Sequence, residues 1–320
     1  MHVIGIDIGG TKIASAIINE SGGTNFNKVE KIGSNKGDEV GDLIVSQISL
    51  LIEEAKDNQI EIGAIGLSVP GISYSDKGTV WAPNIPGWDN YPLLQKITSH
   101  VPKEIKVKID SDRACYILGE SWIGSAKGCT DAIFIAVGTG IGAGILINGE
   151  ILRGNNDIAG AVGWLALDRP YDNKYDNYGC YEYHASGDGL ARVARELIND
   201  SKTYDGSLRK IPLEDITAYH VFEGYENKDE ICRKTIETAI QFWGMCAANL
   251  VSIFNPEKII FGGGVFGPAK IFIDEIEKEA AKWAQPIAIK QVVFEYSLLG
   301  DTAGLVGAGK LAFNQLKIKQ

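Results

Sequence analysis

The chain opens with an apolar run, Val3-Ile4-Gly5-Ile6-Asp7-Ile8. It pauses at Gly9-Gly10-Thr11-Lys12 and resumes as Ile13-Ala14-Ser15-Ala16-Ile17-Ile18. That pattern predicts a strand, a glycine turn and a return strand. Leu43, Val45, Ile48, Leu51, Ile52 and Ala55 recur at helical spacing, so 42–57 is expected to be an amphipathic helix. Residues 62–69 form an apolar strand ended by Pro70-Gly71. The stretch 81–88 is too rich in proline to be regular. Residues 104–110 alternate and read as a strand, and 111–122 read as a helix with Asp112 in its first turn.

The same layout returns in the second half. Residues 132–137 are a strand, Gly138-Thr139-Gly140-Ile141-Gly142 a turn, and 143–147 a return strand before the hairpin signal Asn148-Gly149. Residues 168–183 are polar and tyrosine-rich, as in a loop insertion. Helices are expected over 187–199, over 228–254 with one break, over 268–283 and over the small-residue segment 302–313. Strands are expected over 258–261, ahead of Gly262-Gly263-Gly264, and over 288–294. Alternating strands and helices mean an α/β protein with helix-covered sheets. Two lobes with a cleft between them are expected.

Composition narrows the classes. With 320 residues, two cored domains fit. A net charge of -10 disfavours nucleic acid, whose phosphates reward basic surfaces. The five scattered cysteines, Cys115, Cys129, Cys180, Cys232 and Cys246, argue for a reducing compartment rather than a disulfide framework. No apolar run approaches the roughly 20 residues that span a bilayer. No basic-then-apolar leader opens the chain. A cytoplasmic protein with no membrane partner is expected. The first strand begins almost at Met1, so no DNA-binding module is expected upstream.

Three glycine turns at strand ends suit a nucleotide. In the first, bare N–H groups and the Thr11 hydroxyl can face phosphate. Asp7 repels phosphate, and a Mg2+ between them, held through water, resolves that conflict. The second turn can hold phosphates too, and Gly262-Gly263-Gly264 can let adenosine lie on backbone. An ordinary glycine hairpin satisfies each pattern alone. None is a Walker loop. Phosphoryl transfer also needs a group that accepts the proton of the attacking hydroxyl, and Asp112 is the candidate. A helix-start aspartate that favours the dipole fits that position equally well.

Four segments in order resemble the ROK (repressor, open reading frame, kinase) family of sugar kinases, in the actin/hexokinase/Hsp70-like superfamily. Asp7-Ile8-Gly9-Gly10-Thr11-Lys12 is similar to the first phosphate loop, and 138–144 to the second. Asp112 falls at the catalytic aspartate. Gly179-Cys180-Tyr181-Glu182-Tyr183-His184-Ala185-Ser186-Gly187 is similar to the Gly-Cys-x-Glu-x-x-x-Ser-Gly segment. The resemblance implies a two-lobed actin-like ATPase (ribonuclease H-like) fold, each lobe a mixed sheet flanked by helices. Residues 1–117 with 301–320 would form the N-terminal lobe and 118–300 the C-terminal lobe. It implies ATP and Mg2+ as cofactors, transfer to a hexose hydroxyl, and a homo-oligomer, a dimer by resemblance. Phosphate binding falls to Gly9, Gly10, Thr11, Lys12, Gly138, Thr139, Gly140, Gly142, Gly262, Gly263 and Gly264. Sugar binding falls to Asn84, Ser111, Asp112, Trp164 and Glu182, and Mg2+ to Asp7.

The chain departs from the family where the sugar is read. Of the family's zinc-binding His and Cys residues only Cys180 remains, in 173–180, and Trp164 stands for the histidine. No zinc is expected, since one thiol and no imidazole do not make a tetrahedral site. Tyr171, Tyr175, Tyr178, Tyr181 and Tyr183 would hold that loop by packing. Ala161 replaces a glutamate and Ser111 an asparagine. A site that loses polar partners reads hydroxyls less selectively. The expectation is a modified or differently configured hexose, or a polyol, with Trp164 offering an apolar face to the ring or packing in the core. A non-catalytic sugar- or nucleotide-binding regulator is the alternative, which retention of Asp7 and Asp112 disfavours.

Overall fold

The computed structural model describes residues 1–317. The end of the expected N-terminal lobe, 318–320, lies outside the described residues. By internal contacts the chain divides into two units. One comprises residues 1–129, 144–159 and the described chain from 301; the other comprises 130–143 and 160–300. The expected boundary at 117/118 would cut one continuous helix, α3 (Asp112–Ile123). Residues 118–129 therefore pack with the first unit.

In the first unit, β1 (His2–Ile8), β2 (Lys12–Asn19) and β3 (Thr24–Lys31) form an antiparallel meander. After α1 (Asp38–Asp57) come β4 (Ile62–Val69), the small hairpin β5 (Ile72–Tyr74) and β6 (Thr79–Trp81), α2 (Leu93–Thr98), β7 (Lys106–Ser111) and α3. The five-stranded sheet runs β3-β2-β1-β4-β7, with β4 parallel to both β1 and β7. Strand alternation sends Ile4, Ile6, Ile8, Ile65, Leu67 and Val69 into one buried cluster with Ile44, Ile48 and Leu51 of α1. Val3 and Ala64 face the other side, where Leu305, Ala312 and Phe313 of α10 (Ala303–Lys317) cover them. Asp7 shares a face with Val3 and so points toward α10.

Glycines set how closely that helix approaches. A β-carbon on Gly66 of β4 would stand 1.9 Å from the Ala308 carbonyl oxygen, and one on Gly307 would stand 1.8 Å from that of Cys115 in α3. The small-residue helix expected at 302–313 therefore lies directly on backbone.

The second sheet joins β8 (Ala132–Val137), β9 (Ile141–Ile147), β10 (Glu150–Ile151), β11 (Lys258–Gly262) and β12 (Val293–Tyr296) in the order β10-β9-β8-β11-β12. Each sheet thus follows the order third, second, first, fourth, fifth, which makes the repeated layout of the sequence a repeated topology. The helices here are α4 (Cys180–Ala185), α5 (Gly187–Asp200), α6 (Ala218–Glu226), α7 (Glu230–Phe254), α8 (Phe266–Ala269) and α9 (Ile273–Ala280).

Four expectations change. Residues 168–183 are not all loop, because Cys180 opens α4. The 228–254 pattern is one unbroken helix, N-capped by Asp229, whose carboxylate accepts from Ile231 and Cys232. Residues 268–283 divide at a 3-10 turn, Lys270–Phe272. Residues 288–290 form a turn rather than strand, because Gln285 Oε1 accepts from the backbone nitrogens of Ile287 and Ala288, each at 2.7 Å.

Candidate active site

In the first unit the tight turn between β1 and β2 closes with the Gly9 N–H donating to the Lys12 carbonyl at 2.9 Å. Gly10, Thr11 and Lys12 are exposed at its tip. Asp7 lies beneath. Register pairs it with Ser68 of β4, and the Ser68 hydroxyl donates to Asp7 Oδ1 at 2.6 Å. A β-carbon on Gly304, in the first turn of α10, would stand 2.5 Å from either Asp7 oxygen. Burial raises the Asp7 pKa, against the Ser68 hydrogen bond and the Lys12 charge.

Asp112 opens α3 because Ser111 caps it: the Ser111 hydroxyl accepts the Ala114 N–H at 3.4 Å. Asp112 Oδ1 accepts the Arg113 N–H at 2.7 Å. Burial pushes its pKa up to about 6, with the Asp7 charge adding to the rise and Arg113 opposing it. This unit therefore brings Asp7 and Asp112 within each other's field. It also brings Asn84 to the first turn, since a β-carbon on Gly10 would lie 3.3 Å from Asn84 Cβ. Residues 82–88 hold Asn84 there. Ala82 N–H donates to the Trp88 carbonyl at 2.8 Å, and the Trp88 indole donates to the Gly37 carbonyl at 2.9 Å.

In the second unit Glu182, on α4, turns its carboxylate to the second glycine turn. Oε2 accepts the Ile141 N–H at 2.7 Å, and β-carbons on Gly140 and Gly163 would stand 2.8 and 3.0 Å from that oxygen. Burial raises the Glu182 pKa, against that N–H and the Arg192 charge. Oε1 has no protein partner among the described residues. The Gly187 N–H, at the start of α5, donates to the Gly138 carbonyl at 2.7 Å, and buried Ser186 caps that helix. Gly142, expected in the turn, lies inside β9. Gly262 ends β11 with no room for a side chain against the Phe134 ring. Gly263 has a φ of +87°, and around Gly264 the space is open. The third turn is tied to the end of β8 by the Val265 N–H, which donates to the Val137 carbonyl at 3.1 Å.

Trp164 is 57% exposed, which excludes core packing. Its main chain is fixed by Gly179, where φ is +73° and a β-carbon would meet Trp164 Cα at 2.7 Å. The tyrosine-rich segment is held by rings. Tyr175 stands edge-on to Tyr183 at 5.5 Å and to Tyr171 at 6.4 Å, and its hydroxyl lies 3.0 Å from His184 Nε2. The Arg192 guanidinium covers Tyr178 at 4.2 Å and Tyr183 at 4.6 Å. Burial, then the Lys174 charge, lowers the His184 pKa. Among the described residues no three His, Cys, Asp or Glu side chains gather into a metal-holding group.

Sequence reading passed over Ser68, Asp110 and Arg153. Ser68 and Asp110 become visible only once strand register places them beside Asp7. Arg153 lies 43 residues from the carboxylate that it pairs with.

Two mixed sheets of one shared strand order, with acids at the ends of β1 and β7, define the actin-like ATPase fold. The chain matches the ROK family over residues 3–315 and belongs to it. It is 31% identical to a glucokinase of Halalkalibacterium halodurans over 98% of this chain and 95% of that protein. It is 30% identical to a xylose repressor of Caldicellulosiruptor bescii over 95% of this chain and 76% of that one. Among solved structures, a ROK family glucokinase from Streptomyces griseus, in complex with glucose and AMPPNP, aligns over 98% of this chain and 100% of its own. The TM-score is 0.73 and the identity 27%. A ROK hexokinase from Thermus thermophilus shares the fold with a TM-score of 0.81 over 100% of both chains, at 24% identity.

Proposed function

We propose that the chain is an ATP-dependent sugar kinase that phosphorylates a hydroxyl of a hexose or hexose-like substrate. The observation that carries this reading is Asp112, a carboxylate in a capped first helical turn whose pKa of about 6 leaves it ionised yet basic near neutrality. Asp112 Oδ2 takes the proton of the attacking hydroxyl. The sugar oxygen forms its bond to the γ-phosphorus, and the bond from that phosphorus to the ADP oxygen breaks.

The first turn, with Gly9, Gly10, Thr11 and Lys12, and the second, with Gly138, Thr139 and Gly140, bind phosphate through backbone N–H groups other than those of Gly9 and Gly138, which close the turns. Gly262, Gly263 and Gly264 receive adenosine. Asp7 fits Mg2+ held through water, because Ser68 occupies one of its oxygens and the other has no hydrogen-bond partner among the described residues. The ion, when bound, offsets charge on the phosphates. Glu182 Oε1 accepts from a sugar hydroxyl, Asn84 offers an amide donor and acceptor, and Ser111 sits beside Asp112.

Exposed Trp164 and Ala161 in place of polar groups support a substrate other than plain glucose. The relatives' glucokinase names support hexose chemistry. Assembly as a homo-oligomer rests on the family resemblance, and a cytoplasmic location on the scattered cysteines. No described helix is long and apolar enough to cross a membrane. A screen of sugars and polyols with ATP, with the product identified by mass and NMR, tests the reading. Glucose turning over far faster than every other acceptor would overturn the altered specificity. No phosphorylated product from any acceptor would overturn the kinase.

A further inference from the structure

Arg153 has no part in the chemistry described so far. It follows β10, and its guanidinium reaches β7, where Nε and Nη2 lie 3.1 and 2.6 Å from Asp110 Oδ2. Nη1 donates to the Ile151 carbonyl at 3.4 Å. The other Asp110 oxygen, Oδ1, accepts the Ser111 N–H at 2.9 Å. The Asp110 side chain is 8% exposed and that of Arg153 33%, so the acid is buried and the cation reaches in from the margin.

The segment that carries Arg153 is braced on both sides. A β-carbon on Gly144 would stand 2.0 Å from the Arg113 carbonyl oxygen, so β9 lies against the start of α3. Asp157 Oδ2 accepts both the N–H and the hydroxyl of Ser75 at 2.9 Å.

Asp110 stands in register with Ser68, and Ser68 with Asp7, so the three side chains share one face of the sheet. The Cys115 thiol of α3 is fully buried, and the charges of Asp110, Asp7 and Asp112 all act on it. Burial first, and then those charges, push its pKa well up. Arg153 forms an ion pair with Asp110, one of these three acids.

We infer that Arg153 is a positioning residue for phosphoryl transfer: it offsets the buried negative charge of Asp110, two residues before Asp112, at the β7–α3 junction that presents the base. The inference rests on Asp112 being the base. Removing only the cation leaves a buried unpaired acid, which costs more than removing both partners.

The test measures kcat and KM with ATP and the fastest acceptor found in the screen of sugars and polyols. Arg153→Met is expected to lower kcat at least ~10-fold, with both KM values within about threefold, because the lost interaction belongs to the transition state. Asp110→Asn should lose less than about threefold, and Asp110→Asn/Arg153→Met should return to within about threefold of Asp110→Asn. A simple brace would make both single variants equally poor and the double no better, and that pattern overturns the inference. So does an Arg153→Met enzyme that keeps more than half of kcat while Asp112→Ala is inactive; the kinase reading then survives. Should Arg153→Met fail to fold, the double variant decides, and an inactive double overturns the inference. A wild type that phosphorylates no acceptor of the sugar and polyol screen overturns the inference together with the kinase reading.

Discussion

Gly304 stands so close to Asp7 that a β-carbon on it would meet the Asp7 carboxylate carbon at 2.5 Å. The glycine is there because β1 alternation points Asp7 at the first turn of α10, where the helix dipole favours a negative charge. Gly304→Ala must displace the acid or the helix. It is expected to lower kcat at least ~10-fold and to cost about 1–3 kcal/mol of stability through overpacking. Turnover and thermal melts of the variant check this.

Burial lifts the Asp112 pKa to about 6, and as the proposed base it would work only when ionised. The acid limb of kcat/KM should therefore fall with an apparent pKa near 6. The same shift acts on stability. The folded pKa lies above the unfolded one, so ionisation costs the folded state; the cost is absent below pH 4 and complete above pH 6. A rise from 3.8 to about 6 corresponds to roughly 3 kcal/mol at most. Asp112→Asn should melt higher than wild type at pH 8 and show no such gain at pH 4, while losing activity at every pH.

Glu182 Oε2 accepts the Ile141 N–H, and the proposed reading gives Oε1 to a sugar hydroxyl. A charge-assisted hydrogen bond is worth about 1.5–3 kcal/mol, so Glu182→Gln should raise the KM for sugar ~10-fold to 100-fold. The KM for ATP should change less. Initial rates with each substrate varied in turn measure the split.

Trp164 is exposed, and its removal leaves no cavity. Trp164→Ala should leave the melting temperature within about 2 °C, since surface changes stay near ±0.5 kcal/mol. It should alter the rank order of acceptors in the sugar screen. An unchanged order would remove Trp164 from the sugar site.

Much of the fold was legible where one period dominates. Ile62–Val69 reads as a strand to the residue, because the run is apolar but for Ser68 and its last six residues are buried. The polar strand Thr24–Lys31 escapes notice because most of its residues are exposed. Helix α4 hides in a tyrosine-rich segment whose burial depends on rings far along the chain, such as His184 stacked on Phe242 at 4.5 Å. The glycine turns and Asp112 carry local signals of their own. What local sequence lacks is register. Only the β1-β4-β7 pairing shows that Ser68 belongs to Asp7 and that Asp110 stands in line with them.

The central claim is that Asp112 readies a sugar hydroxyl to attack ATP. Its most direct test is sugar-dependent ADP release by wild type and by Asp112→Ala, with nucleotide binding followed in both. ADP released by wild type only when an acceptor sugar is present, and lost at least ~1000-fold in a variant that still binds ATP, is the predicted result. Equal release with and without sugar, or an Asp112→Ala enzyme as fast as wild type, would contradict it.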